Sequence, residues 1–204
     1  RDSAGLTVLD DWDCLGQRNT ASGTVLAENL AVAPFHLFPT WKSYATPTLA
    51  GPFAQLTTAA IDAGIARAAL NDTVTFVRQF ARPWIDAGVE RASDDPLTIY
   101  HIGQIDSRLA AAEALLEQAG KVLDRFKHDL SEEHVAQASI AVARAKVFTT
   151  EVALDAASRL FELSGTRATG NRHNFDRHWR NARVHTLHDP VRWKYQLLGN
   201  WLGN

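Results

Sequence analysis

The chain has 204 residues, of which 46% are hydrophobic and 22% are charged, and 21 basic residues stand against 23 acidic ones for a net charge of −2. This balance is typical of a globular protein and argues against a disordered chain, a collagen and a protein that coats nucleic acid. The single cysteine, Cys14, excludes a disulfide framework and a cysteine-rich zinc module and slightly favours the cytoplasm. No apolar run approaches the ~18 residues of a membrane span, so we expect no membrane as partner. Because the basic and acidic residues are balanced, we expect no nucleic acid as partner either.

The start of the chain is unusual. It begins with Arg1 and contains no methionine. From this we expect a fragment or a trimmed product of a longer protein.

Residues 1–47 differ in composition from the rest. Short β-forming runs at Leu6–Leu9 and at Thr24–Ala27, the latter continuing to Val32, predict two strands bounded by Gly and Asn. Two strands cover too little apolar surface to form a stable sheet alone, so we expect them to pair with another segment. Four prolines then mark a linker, because each removes a backbone donor: Pro34, Pro39, Pro47 and Pro52.

Residues 48–204 carry the helical period of three and four. The first helix is predicted from Phe53 to before Pro83, the second from the Asp95 cap, and the third from the Ser131 cap to Ser164-Gly165. Each covers roughly thirty residues, or ~45 Å at 1.5 Å per residue. Their predicted apolar faces include Ala60, Val74, Ile105, Leu109, Val142, Phe148 and Leu160.

A fourth helix is predicted from Val191 to Leu202, after Pro190. Long helices joined by short connections pack as an antiparallel bundle. The predicted fold is therefore mainly α: a four-helix bundle at 48–204, preceded by β strands and a linker at 1–47.

The segment from Arg159 to Lys194 is strongly basic, with eight Arg or Lys residues against three acids. It includes a turn at 164–170 that contains Gly and Thr, and such a cationic turn suits an anion such as phosphate. The alternative interpretation is a solvated basic rim.

Four histidines lie in the same segment, and a histidine beside an anion site could act as a general acid or base. His185 and His188, with Asp189, could also bind a metal, but their spacing matches no zinc signature, and we predict no metal. The alternative for each histidine is a packing or capping role. The four are His173, His178, His185 and His188.

Four stretches of the sequence resemble a known family. Residues 10–25 resemble the end of the middle β-domain in the acyl-CoA dehydrogenase superfamily. Residues 160–167, 176–183 (Asp-Arg-His-Trp-Arg-Asn-Ala-Arg) and 185–190 (His-Thr-Leu-His-Asp-Pro) are similar to its flavin-dependent monooxygenase branch, which includes dibenzothiophene monooxygenases and sulfur-acquisition oxidoreductases. The resemblance covers nearly the whole chain.

The resemblance implies a C-terminal half. Members of this superfamily are about twice as long and place an N-terminal helical domain and a β-domain before a C-terminal four-helix bundle. They usually assemble as tetramers, so a homo-oligomer, a dimer or tetramer, is implied, and the half chain alone is expected to be inactive.

The resemblance also implies a reaction. Reduced FMN (with FAD as the alternative), delivered by a separate flavin reductase, would react with oxygen to give a flavin hydroperoxide that oxidises a small organosulfur compound. His188 and His185 match the positions of the proton donor in this family.

The cofactor-binding residues follow from the same resemblance. Arg167, with Thr166 and Thr169 in the same turn, matches a position that contacts the flavin phosphate. Arg78 and Arg82 are implied to reach the flavin of a neighbouring subunit.

Two alternatives stay open. An FAD-dependent acyl-CoA dehydrogenase needs a carboxylate base, and where many members have a glutamate this chain reads Leu187-His188-Asp189-Pro190, which leaves Asp189 as a substitute. The other alternative is an inactive helical oligomerisation module.

Overall fold

The computed structural model describes residues 3–204. Within these residues, seven helices and strands form the fold, and five 3-10 turns lie between them. The strands are β1 (Leu6–Val8) and β2 (Val25–Ala27), and the helices are α1 (Ala50–Gln79), α2 (Pro96–Phe126), α3 (Glu132–Ser164), α4 (Asp176–His185) and α5 (Val191–Gly203). The 3-10 turns are Pro34–His36, Thr40–Tyr44, Ala92–Asp94, Thr166–Thr169 and Asn171–His173.

The two strands pair with each other in antiparallel register, with Leu6 opposite Ala27 and Val8 opposite Val25. The predicted continuation of the second strand to Val32 is wrong. Asn29 has a φ of 52°, a left-handed conformation that an extended strand cannot contain, and β2 ends before it.

The helix ends follow the capping residues that the sequence predicts. The Asp95 carboxylate accepts a hydrogen bond from the Leu97 N–H at 3.0 Å, and the Ser131 hydroxyl accepts one from the His134 N–H at 3.1 Å. At the end of α3, Gly165 has a φ of 72°, a backbone conformation that glycine adopts more easily than other residues.

The three long helices pack side by side, with α2 antiparallel to α1 and α3. One core cluster joins the second half of α1, the first half of α2 and the second half of α3, and another joins the opposite ends of the same helices. Many contact positions are alanine, which lets the helix axes approach closely. The first cluster contains Ala66, Ala69, Leu70, Ile105, Leu109, Ala112, Val152, Ala153, Ala156, Leu160 and Ala182.

Two predicted core positions lie on the surface instead. Phe148 is 46% exposed, and Ala60 is exposed while its neighbour Ala59 is fully buried. Both lie one position away from the face that α1 or α3 presents to the core.

The predicted fourth helix is α5, which packs against α3 without burying any of its own residues. The sequence does not predict α4, a ten-residue helix that lies against α1 and α3 and buries His178 and Ala182.

The N-terminal piece contacts the helices at α4. The Gln17 N–H donates to the Asn181 side-chain oxygen at 2.8 Å, and the Arg180 guanidinium donates to the Leu15 carbonyl at 3.2 Å. Between these bonds, Gly16 is buried so closely against Arg180 that a Cβ there would lie 2.0 Å from the Arg180 carbonyl oxygen. Residues 15–17 are thereby anchored to α4.

Among residues 3–204, no helix combines the length and the apolar character that crossing a bilayer requires.

Candidate functional site

His185, in the last turn of α4, is held by a buried carboxylate. Its Nδ1 lies 2.6 Å from Asp62 Oδ1 on α1, and the His185 side chain is 11% exposed. The other carboxylate oxygen, Oδ2, accepts from the Lys146 ammonium at 2.7 Å and from the Thr150 hydroxyl at 3.1 Å, both on α3. Asp62, Lys146, Thr150 and His185 thus form one polar cluster, called here the Asp62 cluster.

Helix periodicity explains why these side chains meet. Asp62 lies on the face of α1 that also buries Ala59 and Ala66. Lys146 and Thr150 are four residues apart, so both lie on one face of α3 and reach the same oxygen. A charged pair this deep in a helix interface needs every partner, because an unpaired buried charge is strongly destabilising.

The carboxyl of Asp62 is ionised. Burial raises its pKa, but the hydrogen bond from His185 and the charge and hydrogen bond of Lys146 outweigh burial, and the pKa lies below the ordinary value of 3.8. Asp62 is therefore only an acceptor at neutral pH.

His188, the other predicted catalytic residue, is exposed just beyond α4. Its backbone N–H donates to the His185 carbonyl at 3.1 Å, so the two histidines lie one turn apart on the same segment. Asp189, the candidate base of the alternative reading, forms an ion pair of 2.7 Å with Lys194 on α5.

The predicted phosphate-binding residues lie at another place, where α1 and α3 both end. Arg167, in the 3-10 turn Thr166–Thr169, donates from its guanidinium to the Phe80 carbonyl at 3.4 Å. The Thr169 hydroxyl donates to the Thr166 carbonyl at 2.7 Å. Arg78 and Arg82 flank Phe80 in sequence, and both side chains are exposed, as is Arg167.

These two places are far apart within one chain. Asp62, which binds His185, and Phe80, which accepts from Arg167, are separated by about 27 Å along α1 at 1.5 Å per residue. The structure therefore brings the Arg167 turn together with Arg78 and Arg82 at the end of α1, and His185 together with His188, but does not bring the two groups together.

The four histidines of the basic segment do not share one pocket. His173 packs edge-on against Phe76, with ring centroids 5.1 Å apart, and His178 Nε2 lies 2.7 Å from Asp72. Asp72 also accepts from Arg177 at 2.6 Å. His173, His178 and His185 thus meet α1 at positions progressively nearer its start, namely Phe76, Asp72 and Asp62.

His178 is a structural histidine by its surroundings. Burial lowers its pKa below the ordinary value of 6.5, and the nearby charge of Arg177 lowers it further, against the opposing effect of Asp72.

Sequence reasoning misses Asp62, Lys146 and Asp72. The usable signal is a charged residue at a core position of an apolar stripe, as Asp62 is between Ala59 and Ala66. The partners are far apart in sequence, so the signal does not identify the pairs. In the part of the chain that the structure describes, no three His, Cys, Asp or Glu side chains gather as metal ligands.

Residues 56–193, more than half of the chain, match the family described as acyl-CoA dehydrogenase, C-terminal domain. The chain belongs to this family. The match confirms the resemblance to the acyl-CoA dehydrogenase superfamily. It also confirms the mainly helical fold that the sequence predicts.

The domain is similar over almost its whole length to named monooxygenases. It is 38% identical to a dibenzothiophene monooxygenase of Mycolicibacterium goodii over 98% of this chain and 51% of the relative. It is 34% identical to a probable FMNH2-dependent monooxygenase, SfnC, of Pseudomonas putida over 98% of this chain and 52% of the relative.

Solved structures give the same picture. All of this chain superposes on 54% of TdsC from Paenibacillus sp. A11-2, in a complex with FMN and indole, with a TM-score of 0.92 and 37% identity. It also superposes on 54% of the methanesulfinate monooxygenase MsuC from Pseudomonas fluorescens, with a TM-score of 0.91 and 33% identity. The acyl-CoA dehydrogenase C-terminal domain described here spans about half the length of these relatives.

Proposed function

We propose that this chain is the C-terminal half of a reduced-FMN-dependent monooxygenase that oxidises a small organosulfur compound. The observation that carries the proposal is the superposition of the whole chain, at 37% identity, on TdsC in complex with FMN and indole. The names of the other relatives support the substrate class, because they include dibenzothiophene and methanesulfinate monooxygenases.

The exposed residues at the end of α1 and α3 fit a flavin phosphate. Arg167, Arg78 and Arg82 supply positive charge, and the Thr166 and Thr169 hydroxyls add hydrogen-bonding groups on the same turn. In our proposal Arg167 and Thr166 hold the phosphate, Thr169 joins them when its hydroxyl turns from the Thr166 carbonyl, and Arg78 and Arg82 approach from the same end of the bundle.

His188 and His185 are the proposed proton-transfer residues. When bound, reduced FMN supplies the electrons that activate dioxygen for transfer of one oxygen atom to sulfur. His188 is exposed and can present its imidazole directly to the reacting atoms, while His185 behind it can pass or hold a proton.

The separation of these two groups leads us to propose a homo-oligomer, a dimer or tetramer. Asp62, which binds His185, and Phe80, which binds Arg167, lie ~27 Å apart along α1, and one FMN molecule is shorter than this separation. We infer that the Arg167 turn with Arg78 and Arg82 would hold the phosphate of a flavin that reacts beside the histidines of a neighbouring copy.

An exposed apolar stripe on α5 supports the same assembly. Trp193, Leu197 and Trp201 recur every four residues and are 60%, 37% and 45% exposed in the single chain. Contact with another protein surface would remove this stripe from water.

The partners follow from the chemistry. We infer a flavin reductase as the source of reduced FMN, a small molecule as substrate and the cytoplasm as the compartment, where reduced flavin is available.

The family match also permits an FAD-dependent acyl-CoA dehydrogenase, whose reaction needs a carboxylate base. The only carboxylate in the 185–190 segment, Asp189, is already paired with Lys194. This engagement favours the monooxygenase. The inactive oligomerisation module, our second alternative, requires that the protein bind no flavin.

The test is FMN affinity in the complete protein after Arg167→Ala. Loss of a charge-assisted phosphate contact of ~1.5–3 kcal/mol weakens binding roughly 10- to 100-fold. The matched control is Arg125→Ala, which removes the same charge at the end of α2, at the opposite end of the bundle, and leaves FMN affinity unchanged. Equal affinity in the wild-type protein and Arg167→Ala would overturn the phosphate assignment, and absence of FMN binding in the wild-type protein would favour the oligomerisation module.

A further inference from the structure

The Asp62 cluster has a charge arrangement that concerns His185 directly. Asp62 and Lys146 are both completely buried, and their opposite charges cancel at a distance of 2.7 Å. Because Lys146 already neutralises the carboxylate, His185 need not be protonated to compensate it. The contact between Asp62 and His185 can therefore be a hydrogen bond from a neutral imidazole.

The hydrogen bonds determine which ring nitrogen carries the proton of the neutral form. Asp62 Oδ1 accepts at 2.6 Å from His185 Nδ1, and an ionised carboxylate has no hydrogen to donate. Nδ1 must therefore be the protonated nitrogen, and Nε2 is the one with a free lone pair. Among the residues that the structure describes, none forms a hydrogen bond with Nε2.

Other charged groups lie around this imidazole. Asp62 approaches it from α1 and Lys146 lies behind Asp62 on α3, while Thr150 adds a neutral hydroxyl. Along its own segment follow His188 and the Asp189–Lys194 ion pair, whose charges cancel each other. Arg183, two residues before His185, donates to the Thr186 hydroxyl at 3.1 Å.

We propose that Asp62, held in place by Lys146 and Thr150, is a positioning residue that fixes His185 in the Nδ1–H tautomer and presents Nε2 for proton exchange at the reaction site. This rests on the proposed role of His185 in proton transfer. The residue acts through His185 and touches neither substrate nor cofactor.

Replacement of Asp62 by asparagine gives a specific expectation. Lys146 and Thr150 both donate to the Oδ2 position, so the amide oxygen stays there and the amide NH2 group faces His185. An NH2 group donates, so Nδ1 becomes the acceptor and the hydrogen moves to Nε2. Asp62→Asn therefore inverts the tautomer, whereas a purely structural role would lower stability without this inversion.

The experiment is nitrogen-15 NMR of the imidazole in the complete protein, combined with steady-state kinetics. In the wild-type protein we expect a protonated Nδ1 and an unprotonated Nε2 at neutral pH, and in Asp62→Asn the reverse. We expect kcat to fall roughly 100-fold or more with KM unchanged, because general acid–base catalysis contributes about 10²- to 10⁴-fold.

Asp72→Asn is the matched control. Asp72 is also on α1 and also binds a histidine, but its partner is His178. This variant changes the His178 signals and leaves the His185 tautomer and kcat as in the wild-type protein.

A second variant keeps the proposal testable if Asp62→Asn does not fold. Thr150→Val removes only a neutral donor to Asp62 Oδ2 and keeps both the Lys146 ion pair and the bond from His185 Nδ1 to Asp62 Oδ1, so the Nδ1–H tautomer persists. A wild-type His185 in the Nε2–H form, or an inverted tautomer in Thr150→Val, would overturn the proposal.

These outcomes are separable from the proposed function. If the wild-type protein has the expected tautomer but oxidises no organosulfur compound, the proposed function is wrong and the positioning of His185 by Asp62 stands. If the protein oxidises such a compound but His185 has the opposite tautomer, the function stands and the positioning is wrong.

Discussion

Single charged residues explain much of how α4 is held in this protein. Asp62 and Asp72, ten residues apart on α1, each bind one histidine of the last helical segments, His185 and His178. Asp62 is completely buried with Lys146, whereas Asp72 is half-buried with Arg177. The same residue type thus binds a histidine in two environments that differ in burial.

His178 gives a pH-dependent stability. Its pKa in the folded protein lies below the ordinary 6.5, mainly through burial, so the unfolded chain takes up the proton at higher pH than the folded one. The contribution of His178 is fully present above about pH 6.5 and is lost as the pH falls through the folded pKa. We expect the unfolding free energy from urea titration to fall between pH 8 and pH 5.

The variant His178→Gln tests this assignment. It removes the titration, so its unfolding free energy should fall less between the two pH values than that of the wild-type protein. The exposed His128→Gln is the control and should behave as the wild-type protein does. An equal fall in His178→Gln and the wild-type protein would refute the assignment.

The sequence predicts only some of the polar residues of the candidate site. His185, His188 and Arg167 are identifiable because they lie in segments that resemble the family. Asp62 and Lys146 are not, because 84 residues separate them and each interrupts an apolar stripe without revealing its partner. Only packing of α1 on α3 brings them together.

Helices α2 and α3 begin where short-range chemistry places them. Asp95 caps α2 through both oxygens, accepting from the Leu97 N–H and from the Thr98 hydroxyl, each at 3.0 Å. Local bonds of this kind are readable from sequence, which is why the bounds of α2 and α3 are predicted well. The bounds of α4 are not, because it is short and its burial depends on α1 and α3.

The Asp95 cap provides the next prediction. Asp95→Ala should lower the unfolding free energy by about 1 kcal/mol, because two donors at the start of α2 lose their acceptor. Asp95→Asn retains a capping oxygen and should lose less. A chemical denaturation series of the three proteins measures this, and equal stability of Asp95→Ala and the wild-type protein would contradict it.

The contact between residues 15–17 and α4 provides another. Gly16→Ala would place a Cβ 2.0 Å from the Arg180 carbonyl oxygen, so the segment must move away and lose its bonds to α4. We expect a loss of about 1–3 kcal/mol and faster proteolysis within residues 1–47.

Gly64→Ala is the control for this substitution. Gly64 lies inside α1, and an added Cβ there meets nothing within 4 Å. Because alanine favours the helix, this variant should gain about 0.5–1 kcal/mol. If Gly16→Ala were as stable and as protease-resistant as the wild-type protein, residues 15–17 would not be anchored at α4 as described.

Many large apolar side chains are exposed on the single chain. They occur on the linker, on the loop after α1 and on α5, and include Phe35, Phe38, Trp41, Trp84, Trp193 and Trp201. The sequence does not predict which of these side chains are exposed, because their burial depends on how the segments pack and, in our proposal, on a neighbouring copy.

The proposed assembly is tested by light scattering after size-exclusion chromatography. The complete protein should have a mass of two or four protomers. Trp201→Glu, which places a charge on the α5 stripe, should shift it to smaller species, while Leu130→Glu, on the loop between α2 and α3, should not. A monomeric wild-type protein would contradict the assignment of the Arg167 turn to a neighbouring flavin.

The most direct test of the proposed activity uses isotopic oxygen. The experiment incubates the complete protein with a flavin reductase, NADH, FMN and dibenzothiophene under oxygen-18-labelled O2. Mass spectrometry then measures the masses of the products. We predict a sulfur-oxidised product with one heavy oxygen atom per transfer, dependent on reduced FMN. Two results together would contradict the account and identify a dehydrogenase. They are no heavy oxygen in any organosulfur product of this reaction and, in a separate anaerobic experiment, reduction of the bound flavin by an acyl-CoA.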